Sequence, residues 1–193
     1  TCGGNFATKL KKAGVDLVVV RGRAAEPVYV EITEAGTVIK SAADLWGKGT
    51  QKTQALLPAS FGKATIGPAG ENLVRFAAIV SEERVAGRTG CGAVMGSKNL
   101  KAIIANGARK LPIERPEAQK KLQKSMTRFL LDHPMTGSIL KRLGTASLVN
   151  TTAGRNILPV HNFQKGSDLR APQISGEALA RDYLKKNVGC QSC

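Results

Sequence analysis

The sequence predicts an α+β domain over residues 1–110, followed by the start of an all-α domain over residues 111–193. Three observations carry that prediction. Short runs rich in β-branched residues, such as Val15–Val20 and Val28–Ile32, are set apart by glycine and proline turns in the first part. Stretches of helical periodicity interleave with them. Past Lys110 the strand signal stops, Pro112 and Pro116 bracket a linker, and apolar residues recur at helical spacing.

Taken in order, Asn5–Lys12 reads as a short helix, with Phe6 and Leu10 on one face and Gly14 as its stop. Val15–Val20 is nearly continuous apolar sequence and reads as a strand buried on both faces. Val28–Ile32, a turn at Ala35-Gly36 and the return over Thr37–Lys40 form a hairpin. Ser41 caps a helix through Asp44, Leu45 and Trp46. A second helical stretch covers Thr50–Leu57 and stops at Pro58. Lys63–Gly67 is short and apolar, and Pro68-Ala69-Gly70 turns. Leu73–Val80 reads as another buried strand, Gly87–Ser97 as a glycine-rich loop and Lys101–Ala105 as the last strand. In the second part, Glu117–Leu131 is an amphipathic helix with Ala118, Leu122, Met126, Phe129 and Leu130 on its apolar face. Ser138–Asn150 and Gly176–Lys186 are further helices.

Composition narrows the function. Of the 193 residues 42% are hydrophobic and 22% charged, which excludes a disordered chain. No apolar run reaches the ~18 residues of a membrane span. Thr1–Leu10 lacks the charged and apolar regions of a signal peptide. There are 29 Lys+Arg against 14 Asp+Glu, a formal charge of +15, so nucleic acid is an evident partner to weigh. The basic residues are spread along the chain, however, and aromatic residues are only 4%, too few for a stacking platform. A basic nucleic-acid-binding module is therefore retained only as an alternative. Four cysteines, Cys2, Cys91, Cys190 and Cys193, do not make a secreted disulfide framework and favour a reducing, cytoplasmic setting. A chain that opens without Met and closes on a cysteine reads as a piece of a longer one.

Three constellations could carry chemistry. Gly87–Ser97 holds four glycines, with Arg84 and Arg88 beside it. Its backbone N–H groups and these guanidinium groups suit a phosphate or carboxylate, or the glycines simply pack. The spacing is neither GxGxxG nor GxxxxGK[ST], which counts against dinucleotide and nucleoside triphosphate binding. Gly3-Gly4, just before a helix, is a second anion cradle or an ordinary turn. Cys190-Gln191-Ser192-Cys193 has CxxC spacing, which serves zinc, an iron–sulfur cluster or a disulfide. His133 and His161 stand alone in sequence, and His161 reads as a loop residue rather than a base. Cys2 and Cys91 read as small buried or loop residues beside the two cradles.

Taken together, the chain resembles the tungsten-pterin aldehyde:ferredoxin oxidoreductases. The resemblance rests on Gly3-Gly4, Glu26-Pro27-Val28-Tyr29, Trp46-Gly47-Lys48, the runs IGPAGENLVRFAAI (Ile66–Ile79) and GAVMGSKNLKAI (Gly92–Ile103), Ala86-Gly87-Arg88, Gly144-Thr145-Ala146, Leu158-Pro159-Val160, Asn162-Phe163-Gln164 and the Cys190/Cys193 pair. It implies an enzyme that oxidises an aldehyde to a carboxylate at a tungsten (or molybdenum) centre held by two pterins. A magnesium ion bridges the pterin phosphates, and a [4Fe–4S] cluster passes electrons to ferredoxin. Residues 1–110 would then be part of the pterin-binding domain, and residues 111–193 the start of a helical domain. Thr1 and Gly3 match one pterin contact, Arg84 and Val85 a second, and Cys190 and Cys193 the first two cluster ligands. Thr1 stands where the family usually has Asn. The acid–base residues of catalysis fall outside the matched positions and stay unassigned. The Lys185-Lys186 pair would help steer an acidic ferredoxin, and a homodimer is among the assemblies expected of the full-length chain. A truncated or non-catalytic relative without cofactor is the other reading.

Overall fold

A six-stranded mixed sheet organises the first part of the chain; the computed structural model describes residues 2–188. Strands β1 (Val28–Thr33) and β2 (Gly36–Ser41) form the expected hairpin, in register from Val28↔Ser41 to Thr33↔Gly36. The tight return is made at Gly36, whose φ of +137° is open to glycine alone. The other strands are β3 (Gly62–Thr65), β4 (Ile79–Ser81), β5 (Arg84–Ala86) and β6 (Leu100–Ala105), and the spatial order is β2-β1-β6-β3-β4-β5. Strand β6 lies parallel to β1 and antiparallel to β3; the remaining pairs are antiparallel.

Two apolar clusters flank the sheet, which is why the β6 sequence is nearly all apolar. Ala102 and Ile104 pack with Ala42, Leu45 and Leu57. Leu100 and Ala105 pack with Val30, Ile32, Ile66 and Met95. A register shift between Val28 and Tyr29 lets Leu100 share a cluster with Ala105, against strict alternation. The exception among these apolar residues is Lys101, whose side chain is fully buried in the central strand. Its ammonium pairs with the Glu71 carboxylate and donates to the Lys48 carbonyl at 2.7 Å. The other Glu71 oxygen accepts the Gly47 N–H at 2.9 Å. Every charge in this buried pair thus has a partner, as a buried pair requires.

Helix α1 (Phe6–Lys12) ends as its sequence predicts. Gly14 takes φ +88°, its N–H bonds the Lys11 carbonyl, and the Val15 N–H reaches back to Leu10. Lys9, Lys11 and Lys12 in the last turn complement the helix dipole. Helices α2 (Thr50–Leu56), α3 (Pro68–Glu71) and α4 (Cys91–Ser97) complete this part.

Several expectations are corrected. Val15–Val20 is not a strand. Val15, Val18 and Val20 pack on the core while Leu17 and Val19 face out, because both sides of β1 and of β6 are already paired. The helix expected from Ser41 is a run of turns, in which Ser41 Oγ accepts the Ala43 N–H at 3.3 Å. Leu73–Val80 is irregular until Ile79: Leu73 takes φ +57° and Phe76 is 81% exposed. The end of the glycine-rich segment is helix α4, not loop.

The described residues fall into two compact units, one up to Pro112 and one over Ile113–Val188. In the second, α5 (Pro116–Asp132) has the predicted span, yet none of its residues is buried. Leu122, Met126, Phe129 and Leu130 are exposed. The single helix expected over Ser138–Asn150 is broken. A π-helical turn (Pro134–Ile139) leads to α6 (Leu140–Leu143), then a 3₁₀ turn (Gly144–Ser147) and α7 (Leu148–Gly154). Gly144, at φ +62°, makes the break. Ser175 caps α8 (Gly176–Asp182) by accepting the Ala178 N–H at 3.2 Å, and that helix stops four residues short of Lys186. The fold class, an α+β unit followed by helical structure, is as the sequence indicates. Among the described residues no helix is long and apolar enough to cross a membrane.

Candidate functional site

Strands β4 and β5 form a minimal hairpin, Val80 opposite Val85 and Ser81 opposite Arg84. Its two-residue turn is Glu82-Glu83. Glu82 takes φ +55°, a conformation that suits glycine better than a side-chain-bearing residue. The turn sits directly against the beginning of the chain. A Cβ placed on Gly3 would lie 2.9 Å from Arg84 Cγ, so the arginine stem crosses the bare Gly3 backbone. A Cβ on Gly4 (φ +92°) would lie 2.6 Å from Ser81 Oγ. The Glu82 carboxylate accepts the Asn5 N–H at 3.0 Å. From the other side, Gln54 of α2 accepts the Glu82 N–H at 2.6 Å and donates to the Glu82 carbonyl at 3.3 Å.

This arrangement brings together residues that are 81 positions apart in sequence, Gly3 and Arg84. Val85 follows on β5 and is half exposed. Thr1, Cys190 and Cys193 lie outside the described residues. The Ser81 hydroxyl is buried and has no hydrogen-bond partner. An unpaired buried hydroxyl is costly, and here it lies beside two glycines whose backbone is bare. An orphaned donor, a bare backbone turn and a guanidinium fit an anionic group such as a pterin phosphate. Desolvation raises the Cys2 thiol above its ordinary value, and the Glu82 carboxylate adds a smaller effect in the same direction. Among the described residues no three His, Cys, Asp or Glu side chains gather as a metal site.

The glycines of Gly87–Ser97 divide differently from either reading of that segment as a whole. Gly90, Gly92 and Gly96 are packing residues. Their missing side chains admit the carbonyls of Arg75, Ala78 and Gly70, with Cβ-to-oxygen distances of 2.0, 2.6 and 1.8 Å if one were added. The Gly92 N–H is used up by the Ala77 carbonyl at 2.9 Å. Helix α4 is therefore seated on α3 and on the irregular segment after it. Of the four glycines only Gly87 is exposed, beside the exposed Arg88 and Thr89. Sequence reasoning missed Gln54, Ser81 and Glu82. The signal for the last was present in Ser81-Glu82-Glu83-Arg84, a polar break between the apolar pairs Ile79-Val80 and Val85-Ala86. His161 lies in a loop at φ +49°, next to Asn162 and Phe163, also at positive φ.

Fold and cradle define an α+β domain that carries a glycine turn and an arginine to one point. Residues 1–107 match the family model for the N-terminal domain of aldehyde ferredoxin oxidoreductase, and residues 121–193 the model for its domains 2 and 3. The chain belongs to the aldehyde ferredoxin oxidoreductase family. It is 43% identical to the tungsten-containing aldehyde ferredoxin oxidoreductase of Pyrococcus furiosus over 197 aligned residues, covering 99% of this chain and 33% of that protein. The protein of the same name from Thermococcus kodakarensis is 42% identical, with the same coverage. Among solved structures, the active site complex BamBC of benzoyl coenzyme A reductase, in complex with 1,5-dienoyl-CoA, superposes with a TM-score of 0.79 at 27% identity, over 100% of this chain and 32% of that one. The chain spans about a third of the length of these relatives.

Proposed function

We propose that this chain is the cofactor-cradling part of an oxidoreductase that converts an aldehyde to a carboxylate and delivers the electrons to ferredoxin. The observation that carries the reading is the contact between Gly3 and the stem of Arg84, with the unpaired Ser81 hydroxyl beside it. The names of the relatives at 43% and 42% identity support tungsten as the metal.

In this reading Thr1, Gly3, Arg84 and Val85 hold a tungsten bis-pterin and its bridging Mg2+, and Cys190 and Cys193 supply two of the four thiolates of a [4Fe–4S] cluster. When bound, the tungstopterin supplies the two-electron redox chemistry. The chain's own work is to bind and orient. Arg84 meets phosphate charge with a rigid guanidinium fork. Gly3 and Gly4 let backbone approach where a side chain would block it. The burial of Ser81 keeps water from competing for its hydroxyl. Residues 1–110 form the pterin-binding part and residues 111–193 the start of the helical region that leads to the cluster. The Lys185-Lys186 pair contributes to the attraction of an acidic ferredoxin. A cytoplasmic location and, at full length, a homodimer complete the proposal.

The test is metal analysis of the full-length protein produced with tungstate. About one tungsten per chain is expected, and Arg84→Ala should lose most of it, since a charge-assisted bond is worth roughly 1.5–3 kcal/mol. Protein that holds no tungsten or molybdenum at all would identify a non-catalytic relative. Unchanged metal content in Arg84→Ala would make this a surface arginine.

A further inference from the structure

The Glu82 turn is gripped at three points by two elements distant in sequence. Gln54 reads both backbone groups of Glu82, at 2.6 and 3.3 Å, as a neighbouring strand would. The Glu82 carboxylate reaches the other way and takes the Asn5 N–H at 3.0 Å. Glu82 itself is held at φ +55°. Such a conformation persists in a non-glycine residue when its surroundings over-determine it. Here they do, because α2 fixes the turn from behind and α1 is fixed to the turn in front. Helix α2 is anchored in its own right. The Thr53 N–H and hydroxyl bond the Gly49 and Lys48 carbonyls, and Lys48 is tied to the buried Lys101.

We infer that Gln54 and Glu82 form a latch that sets the spacing between the Gly3-Gly4 turn and Arg84, and so act as positioning residues for the cofactor cradle. The inference rests on the cradle reading above. A polar pair is suited to this work. A hydrophobic contact would tolerate sliding, whereas a two-point amide–backbone bond fixes both distance and orientation. Glu82 is the coupling residue: its backbone belongs to the β4–β5 hairpin, and its side chain holds the N-terminus of α1. Loss of Gln54 frees the hairpin turn. Loss of the Glu82 carboxylate frees Asn5 and with it the glycine turn.

Three variants of the full-length protein test this: Gln54→Leu, Glu82→Gly and Glu82→Gln. Two readouts are taken. One is the rate at which bound tungsten is lost to a chelator. The other is amide hydrogen exchange at Asn5 and Glu82 in metal-free protein. Gln54→Leu should speed exchange at both amides and speed tungsten loss about tenfold, the effect of about one hydrogen bond. Glu82→Gly relieves the backbone strain but removes the acceptor, so exchange at Asn5 and tungsten loss should both quicken. Glu82→Gln keeps an acceptor oxygen and should match the parent within about twofold, the size expected of a retained hydrogen bond. If either disrupting variant matches the parent in both readouts, the latch is refuted. Faster exchange with unchanged tungsten loss overturns the positioning role, and faster loss with unchanged exchange overturns the latch as its cause. Should the parent protein hold no tungsten, the cofactor reading fails and the exchange measurements still decide whether the latch exists.

Discussion

The sheet-bearing unit up to Pro112 and the helical unit over Ile113–Val188 solve the problem of burial in opposite ways. In the first, a central strand supplies apolar residues to both faces, and even its lysine is buried against a carboxylate. In the second, the 17-residue α5 presents its apolar stripe outward, and the buried side chains are small: Ala171, Ala178, Ser147 and Ser175. Sheet hydrogen bonds force distant segments together and close a core within ~110 residues. Helices satisfy their own backbones, so nothing obliges their apolar faces to meet inside the same stretch of chain. The difference teaches that periodicity reveals which face is apolar but not what covers it.

The contrast can be broken most severely at the buried pair. Lys101→Met leaves the Glu71 carboxylate buried without its counter-charge. Chemical denaturation should then show a loss of roughly 3–5 kcal/mol. The double variant Lys101→Met with Glu71→Gln should recover most of that, because Gln still accepts the Gly47 N–H and no charge is stranded. A double variant as unstable as the single one would mean that the pair is valued for its charge.

Glycine substitutions sharpen the comparison at intermediate size. Gly96→Ala would drive a methyl to within 1.8 Å of the Gly70 carbonyl oxygen, and overpacking of this kind costs on the order of 1–3 kcal/mol or more. Gly154 ends α7 with open space where a Cβ would go. There Gly154→Ala should be neutral or stabilise by up to about 1 kcal/mol through helix propensity. Thermal midpoints moving in the same direction for both would contradict the proposed division between a packed and an open region.

The smallest effect is one of pH, in the helical unit. Arg170 bonds Asp168 through its side chain at two points, and its backbone N–H adds a third bond. These hold the Asp168 carboxyl far below its ordinary range. A depressed folded-state pKa gives stability that is complete above the unfolded value, near 3.9, and is lost as pH falls toward the folded value. Asp168→Asn should therefore lower the thermal midpoint slightly at pH 7 and have less effect at pH 3. An equal difference at both pH values would show that the charge is not involved.

Much of this was legible in advance. The β1–β2 hairpin, the stop of α1 at Gly14 and the span of α5 follow from local signals: a turn residue, a C-terminal glycine, a 3.6-residue period. The misreadings differ. Val15–Val20 is apolar enough for a strand, but β1 and β6, on which it packs, are already paired on both sides. Leu73–Val80 joins the sheet only from Ile79, where β4 pairs with β3 and β5. The glycines of Gly90–Gly96 were equally compatible with a ligand loop and with tight packing, because glycine permits close approach without specifying what approaches. For the cradle, the sequence named Gly3 and Arg84 through resemblance. Gln54 and Ser81 belong to no motif of their own and were invisible, and Glu82 showed only as part of a polar break between apolar pairs.

The sequence by itself determined the fold class, the family and the elements with strong local signals, because each rests on local pattern or on residue identity at matched positions. Tertiary structure alone decided that Gly3 meets Arg84, that Lys101 is buried on Glu71 and that Gln54 grips Glu82. These contacts span 81, 30 and 28 residues, and no short-range rule of backbone or side chain acts over such distances along the chain. They exist because strand pairing brings the segments together and packing leaves those side chains one place to go.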